Sequence, residues 1–132
     1  MDEVLEFFKK VKTYFLATVD GEQPEIRPFG TICKYQDKLY IQTGKVKDCY
    51  KQMEANPRIS ICGFDGETGT WVRVDAIAEM NDDYDAVDAM LNEYPHLRKM
   101  YAPGDGNSVI VALTQATARI CSFTAEERII RF

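Results

Sequence analysis

Short runs of β-branched and aromatic residues, each closed by a turn signal, recur along most of this 132-residue chain, and they limit its fold more than any other feature. Thr13-Tyr14-Phe15-Leu16-Ala17-Thr18-Val19 comes first and is stopped by Asp20-Gly21, a strong hairpin signal. A second strand is expected from Glu25 to Tyr35; Gln36-Asp37 then turns the chain into a third, Lys38 to Thr43, giving a three-stranded meander. Arg58 to Phe64 reads as a fourth strand, and after the polar turn Asp65-Gly66-Glu67-Thr68-Gly69 a long fifth runs from Thr70 to Met80. Ser108 to Leu113 and Thr117 to Phe123 read as two further strands, with Ile129-Ile130-Arg131-Phe132 as a short terminal one. Six or seven strands in so short a chain usually close into a barrel, which removes exposed edges.

The helical period shows in three places, all peripheral to the strands. Asp2 is expected to cap a first helix whose Val4, Leu5, Phe7, Phe8 and Val11 recur at three- and four-residue steps, with Lys9, Lys10 and Lys12 at the negative end of its dipole. Val46 to Ala55 reads as a short helix with Val46, Tyr50 and Met53 on one face, ended by Asn56-Pro57. Asp82, Asp83 and Asp85 open a third, with Tyr84, Val87, Leu91 and Tyr94 as its buried stripe and a further turn over Pro95 to Tyr101. The segment from Ala102 to Asn107 is a loop, and its Gly104-Asp105-Gly106 is explained by turn chemistry. The whole, residues 1–132, is expected to be one mainly β domain with peripheral helices.

Composition removes several classes of function. The net charge of −5 leaves no basic excess to displace counterions from a nucleic acid. The four cysteines, Cys33, Cys49, Cys62 and Cys121, form no CxxC pair, and three lie in apolar runs, as buried free thiols do. His96 is the only histidine, so a zinc site or a histidine-based hydrolytic triad finds no support. No glycine-rich dinucleotide fingerprint or P-loop occurs. The acidic start, Met1-Asp2-Glu3-Val4, is unlike a secretion signal, and no stretch is long enough to span a bilayer, so a soluble cytoplasmic protein is expected.

Two segments depart from what a plain barrel needs. Arg27-Pro28-Phe29-Gly30 puts a cation, a residue without a ladder donor and a residue without a side chain into one strand. A flat anionic ligand against the strand accounts for all three, and so does a bulged edge strand with a solvated arginine. Thr43-Gly44-Lys45-Val46-Lys47 joins a strand to a helix with a hydroxyl, free amides and lysines, which suits a phosphate or simply a capped helix. If the second and third strands pair through Gln36-Asp37, Arg27 falls near Lys45, and Thr43 near Pro28 or Phe29. Phosphate at one end and a planar ring along the strand describe flavin mononucleotide (FMN).

Taken in order, Tyr14 to Gly21, Arg27 to Gly30, the strand ending in Thr43, Lys47 entering a helix, Gln52 to Arg58, and Trp71-Val72-Arg73-Val74-Asp75-Ala76 resemble the pyridoxamine 5'-phosphate oxidase-like family of FMN-binding split barrels. The resemblance covers nearly the whole chain. It implies a six-stranded antiparallel Greek-key barrel that forms a homodimer with FMN at the subunit interface. It places Arg27, Pro28, Phe29, Gly30, Thr31 and Ile32 along the flavin, with Arg27 also serving its phosphate. Gln42 and Thr43 then meet the ring edge and phosphate, Lys47 supplies a phosphate charge, and Trp71 reaches the flavin or serves as a core or interface aromatic.

The departures from that family are specific. Asp48 and Cys49 stand where true pyridoxamine phosphate oxidases carry a basic pair, Ile32 stands for their substrate-phosphate lysine, and Ile130-Arg131-Phe132 holds no counterpart of their C-terminal tryptophan and arginine motif. Vitamin B6 oxidation is therefore not expected, and the chain looks closer to the short general-stress or nitroreductase-like branch. The expected activity passes hydride or electrons from NAD(P)H through FMN to a small acceptor such as a quinone or nitroaromatic. The alternatives are a non-catalytic flavin-binding or sensing protein and a relative that binds deazaflavin F420; haem is disfavoured by the single histidine.

Overall fold

A computed structural model describes residues 1–132 as a helix-flanked antiparallel β structure. Its strands are β1 (Tyr14–Asp20), β2 (Gln23–Phe29), β3 (Cys33–Tyr35), β4 (Lys38–Gly44), β5 (Arg58–Asp65), β6 (Thr70–Asn81), β7 (Ser108–Ser122) and β8 (Arg128–Arg131). The helices are α1 (Asp2–Val11), α2 (Asp48–Ala55) and α3 (Tyr84–Glu93), and α3 runs on into a 3₁₀ turn, Pro95–Lys99. No helix is long and apolar enough to cross a membrane.

The sheet runs in the order β2-β1-β5-β6-β7-β4-β3, with β8 also paired to β7. Its two ends, β2 and β3, are joined by only Gly30, Thr31 and Ile32, so the chain steps from one edge to the other and closes the sheet into a split barrel. The expected single strand from Glu25 to Tyr35 is thus two. β2 pairs with β1, Arg27 facing Leu16, while β3 pairs with β4, Cys33 facing Tyr40. The expected meander does not form, because β4 takes β7 as its other neighbour. Tyrosine hydroxyls hold the step. Tyr14 Oη donates to the Thr31 carbonyl, and Tyr94 Oη accepts from the Ile32 N–H and donates to its carbonyl.

Where two strands were expected after residue 108, there is one, β7. Its register against β6 shifts between Asp75 and Ile77, and Gln115 opposite takes φ 47°. A bulge there bends the strand instead of ending it.

Alternation accounts for the core. Leu16, Ile41, Ile61, Val72, Val74, Val111 and Leu113 point inward with Val4 and Phe8 of α1 and Met53 of α2. On the other face of β4 and β7, Tyr40, Ile110 and Ala112 meet Ala86 and Met90 of α3. Both faces of those strands are covered, which is why Leu39–Gly44 and Ser108–Leu113 are buried without a break. Gly63 lets α1 lie directly on β5: a Cβ there would stand 3.1 Å from Phe8 and Val11. Three helix details differ from expectation. Asp2 lies in the first turn of α1 instead of capping it, and the exposed Val46 precedes α2, whose buried face is Cys49 and Met53. Tyr84, at the first turn of α3, is exposed, while Ala86, Val87, Met90 and Leu91 are buried.

Candidate functional site

The site follows from the step between β2 and β3. Because β2 is one edge of the sheet and β4 lies next to β3 at the other, the crossing at Gly30 brings the end of β2 beside the end of β4 without pairing them. Between them lies a cleft of about 300 Å³. Arg27, Pro28, Phe29, Gly30 and Thr31 form one wall, Gln42, Thr43 and Lys47 a second, and Leu97, Met100 and Tyr101 a third. Eight of the ten residues singled out from the sequence therefore surround one cavity. Lys45, the partner expected for Arg27 from strand counting, points away and pairs with Asp82 at 2.7 Å.

Arg27 is held entirely by neutral oxygens. Its Nη1 donates to the Leu16 carbonyl at 3.2 Å and to Thr18 Oγ1 at 2.7 Å, and its Nη2 donates to Gln52 Oε1 at 2.8 Å. Thr18 and Gln52 also bond each other, so β1, β2 and α2 fix the guanidinium together. No carboxylate stands within ion-pair distance of Arg27 or of Lys47. Lys47 occupies the N-cap position of α2, and no side chain caps that helix, so its first amides stay open beside the lysine. Two cations without an ion-pair partner, beside the N-terminus of a helix whose one first-turn acid, Asp48, lines a different hollow, make the cleft electropositive in an otherwise acidic protein.

The ring-side wall has an orphan of its own. Gln42 is buried; its N–H donates to Thr31 Oγ1 and its Nε2 to the Thr43 carbonyl, both at 3.0 Å, but its Oε1 is buried with no partner. A buried acceptor without a donor is costly and calls for a ligand N–H or O–H. Thr43 lies against Cys49 Sγ at 3.4 Å. An anion would suit the Arg27–Lys47 end, and a donor-bearing planar group would suit the Gln42 side.

Two residues singled out from the sequence are not brought to the cleft. The Ile32 side chain is in the core, and only its backbone, held by Tyr94, belongs to the crossing. Trp71 is on β6 against Phe123, with ring centroids 5.1 Å apart. Conversely, sequence reasoning missed Thr18 and Gln52, which fix Arg27, and the Leu97, Met100 and Tyr101 wall. The alternation along β1 already puts Thr18 on the face of Leu16. The third wall had no local signal.

Comparison with known proteins gives a consistent picture. A family model described as pyridoxamine 5'-phosphate oxidase matches residues 1–122. The crystal structure of a NimC/NimA family protein from Clostridium acetobutylicum is 35% identical, with a TM-score of 0.95 over 100% of this chain and 92% of that one. General Stress Protein 26 from Bacillus anthracis str. Sterne is 16% identical, with a TM-score of 0.78 over 99% of this chain and 97% of the other. A FAD-binding protein from Mesorhizobium loti is 19% identical, with a TM-score of 0.62 over 91% and 94%. These last two share the fold. No curated protein sequence matches the chain.

Proposed function

The chain belongs to the pyridoxamine 5'-phosphate oxidase family, and on that premise we propose that it binds FMN in the Arg27–Lys47 cleft and acts as a homodimeric FMN-dependent oxidoreductase. The observation that carries this reading is what meets around one cavity: Arg27, hydrogen-bonded only to neutral oxygens, the exposed Lys47 with no ion-pair partner, and Gln42 Oε1 without a donor. Arg27, Lys47 and the open end of α2 would hold the phosphate, Pro28 to Thr31 would lie along the ring, and Gln42 Oε1 would accept from a ring N–H. When bound, the isoalloxazine supplies hydride or electron transfer. The chain contributes binding, orientation and positive charge, and no acidic or imidazole side chain lines the cleft to act as a general acid or base. A small acceptor such as a quinone or nitroaromatic suits such a site. Ile32 in the core, Asp48 directed to a different hollow and Cys49 buried against Thr43 support a substrate other than the vitamin B6 phosphates.

The dimer reading rests on the outward face of the sheet. Phe15, Ile26, Phe64 and Ile129 are exposed on one side of β1, β2, β5 and β8, with Trp71 and Phe123 beside them; Arg73, Asp75 and Arg119 share that side between Phe64 and Ile129, so the exposed apolar groups concentrate on β1, β2 and β5. Pro28 pairs with Phe15 on this face and also lines the cleft, so the face and the cleft are continuous. A volume of about 300 Å³ is at the low end for a small-molecule site. A second copy on this face would deepen it and would bring Trp71, which shares the face, into the interface. Mixing anaerobic holoprotein with NADH or NADPH tests the activity. Bleaching of the flavin, reversed by a quinone or nitroaromatic, is the expected result, and an unbleached flavin with both donors would leave binding alone.

A further inference from the structure

The 102–107 loop lies outside the cleft wall, yet the turn that presents Lys47 is fastened to it. Asp105 organises the loop. Its Oδ1 accepts the N–H groups of Asn107 at 2.8 Å and Ser108 at 2.6 Å. Its Oδ2 accepts the Ala102 N–H at 3.0 Å and the Ser108 hydroxyl at 2.8 Å. Desolvation pushes this carboxyl up, but the backbone N–H groups of Ser108, Ala102 and Asn107 together outweigh it and hold it well below the usual carboxylate range.

Asn107 then grips the turn between β4 and α2. Its main-chain oxygen accepts the Lys45 N–H at 2.8 Å, and its Oδ1 accepts the Val46 N–H at 3.1 Å. The turn closes on itself through the Lys47 N–H, which donates to the Gly44 carbonyl at 3.0 Å. Gly44 makes the close approach possible. A Cβ there would stand 2.9 Å from Asn107 Nδ2, and 3.1 Å from both Asn107 Oδ1 and Cε1 of Tyr101, a residue of the cleft wall. All three bonds act on the segment that aims Lys47 and the first amides of α2. None acts on the β2 wall.

We propose that Asp105 and Asn107 are positioning residues for the phosphate end of the cofactor, fixing the 44–47 turn so that Lys47 and the α2 N-terminus meet the phosphate already oriented. This rests on the FMN reading above. A pre-ordered turn spares the ordering cost that binding would otherwise bear, so loosening it weakens whatever the turn holds and leaves the ring contacts alone. Riboflavin carries the same ring and ribityl chain without the phosphate, which makes it the control.

The test is titration of apoprotein with FMN and with riboflavin, followed by flavin fluorescence, for wild type, Lys47→Ala, Asn107→Ala, Asn107→Asp and Asp105→Asn. Wild type is expected to prefer FMN and Lys47→Ala to narrow that preference. Asn107→Ala is expected to raise the FMN Kd about tenfold, the scale of one hydrogen bond, with riboflavin changed less than about twofold. Asn107→Asp keeps the acceptor for Val46 and, in high salt where its added charge is screened from the phosphate, is expected to recover most of the loss. Should Asn107→Ala not fold, Asp105→Asn, which retains Oδ1, makes the same comparison. A wild type that prefers FMN while every folded variant of Asn107 and Asp105 keeps the full preference, or loses both flavins equally, overturns the positioning role alone. A wild type that binds neither flavin overturns the cofactor reading and this one with it.

Discussion

Replacing Arg27 by methionine would separate the two things a half-buried cation can do. In the free protein its guanidinium donates three hydrogen bonds to neutral oxygens, and two of those acceptors, Thr18 and Gln52, are also bonded to each other. Removing it deprives the Leu16 carbonyl of a donor at a cost of about 1 kcal/mol, but it also removes a desolvated charge with no counter-ion, which offsets a similar amount. Methionine fills most of the same volume. The stability of the apoprotein should therefore change by about 1 kcal/mol or less. FMN should lose a charge-assisted hydrogen bond to its phosphate worth about 1.5–3 kcal/mol, a roughly 10- to 150-fold rise in Kd. Urea unfolding of the apoprotein gives the first quantity, and quenching of flavin fluorescence on titration gives the second. An unchanged Kd would refute the phosphate role. An apoprotein destabilised by more than about 3 kcal/mol would show Arg27 to be a structural strut whose loss of affinity is secondary.

Two further predictions concern the outer face and the buried thiol. Ile26→Glu places a carboxylate on the apolar face, and sedimentation should show the dimer weakened by about 3 kcal/mol or more with FMN affinity falling alongside; a wild type that sediments as a monomer would remove the interfacial site. Burial, aided by the Glu93 carboxylate, pushes the Cys33 thiol up to about 12. The folded chain thus keeps a proton that the unfolded chain gives up, so the thiol's contribution is complete below about pH 8.5 and is lost as pH rises toward 12, by at most about 1.4 kcal/mol per unit. Urea unfolding at pH 8 and at pH 9.5 should show a steeper loss in wild type than in Cys33→Ala, and equal slopes would contradict the assignment.

What the sequence made legible was local. The Asp20-Gly21 hairpin, the α2 stop at Asn56-Pro57 and the break over 65–69 all form as their turn chemistry dictates. The oddities of Arg27-Pro28-Phe29-Gly30 were visible because Arg27, Pro28 and Gly30 each break a rule of strand composition. What failed was non-local. Pro28 and Gly30 mark a weak point in Glu25 to Tyr35 but not a change of partner strand, because the step at Gly30 to Ile32 is held by the Tyr14 and Tyr94 hydroxyls from two distant elements. The strand counting that put Arg27 beside Lys45 assumed a pairing that the step abolishes, although Arg27 and Thr43 still line one cleft. In the same way, Thr114 to Ala116 reads as a turn in isolation, but pairing with β6 on one side and with Phe132 on the other carries the strand through it. The loop around Asp105 was readable as a turn, while its hold on the 44–47 segment runs through contacts some sixty residues apart in sequence.

The central claim is that two unpaired cations and an orphaned amide oxygen surround a site for FMN. The most direct measurement is the visible absorption of the protein purified without added cofactor, with the released ligand identified by mass. An oxidised-flavin spectrum and one FMN per subunit are expected. Colourless protein that fails to quench the fluorescence of added FMN would contradict the claim.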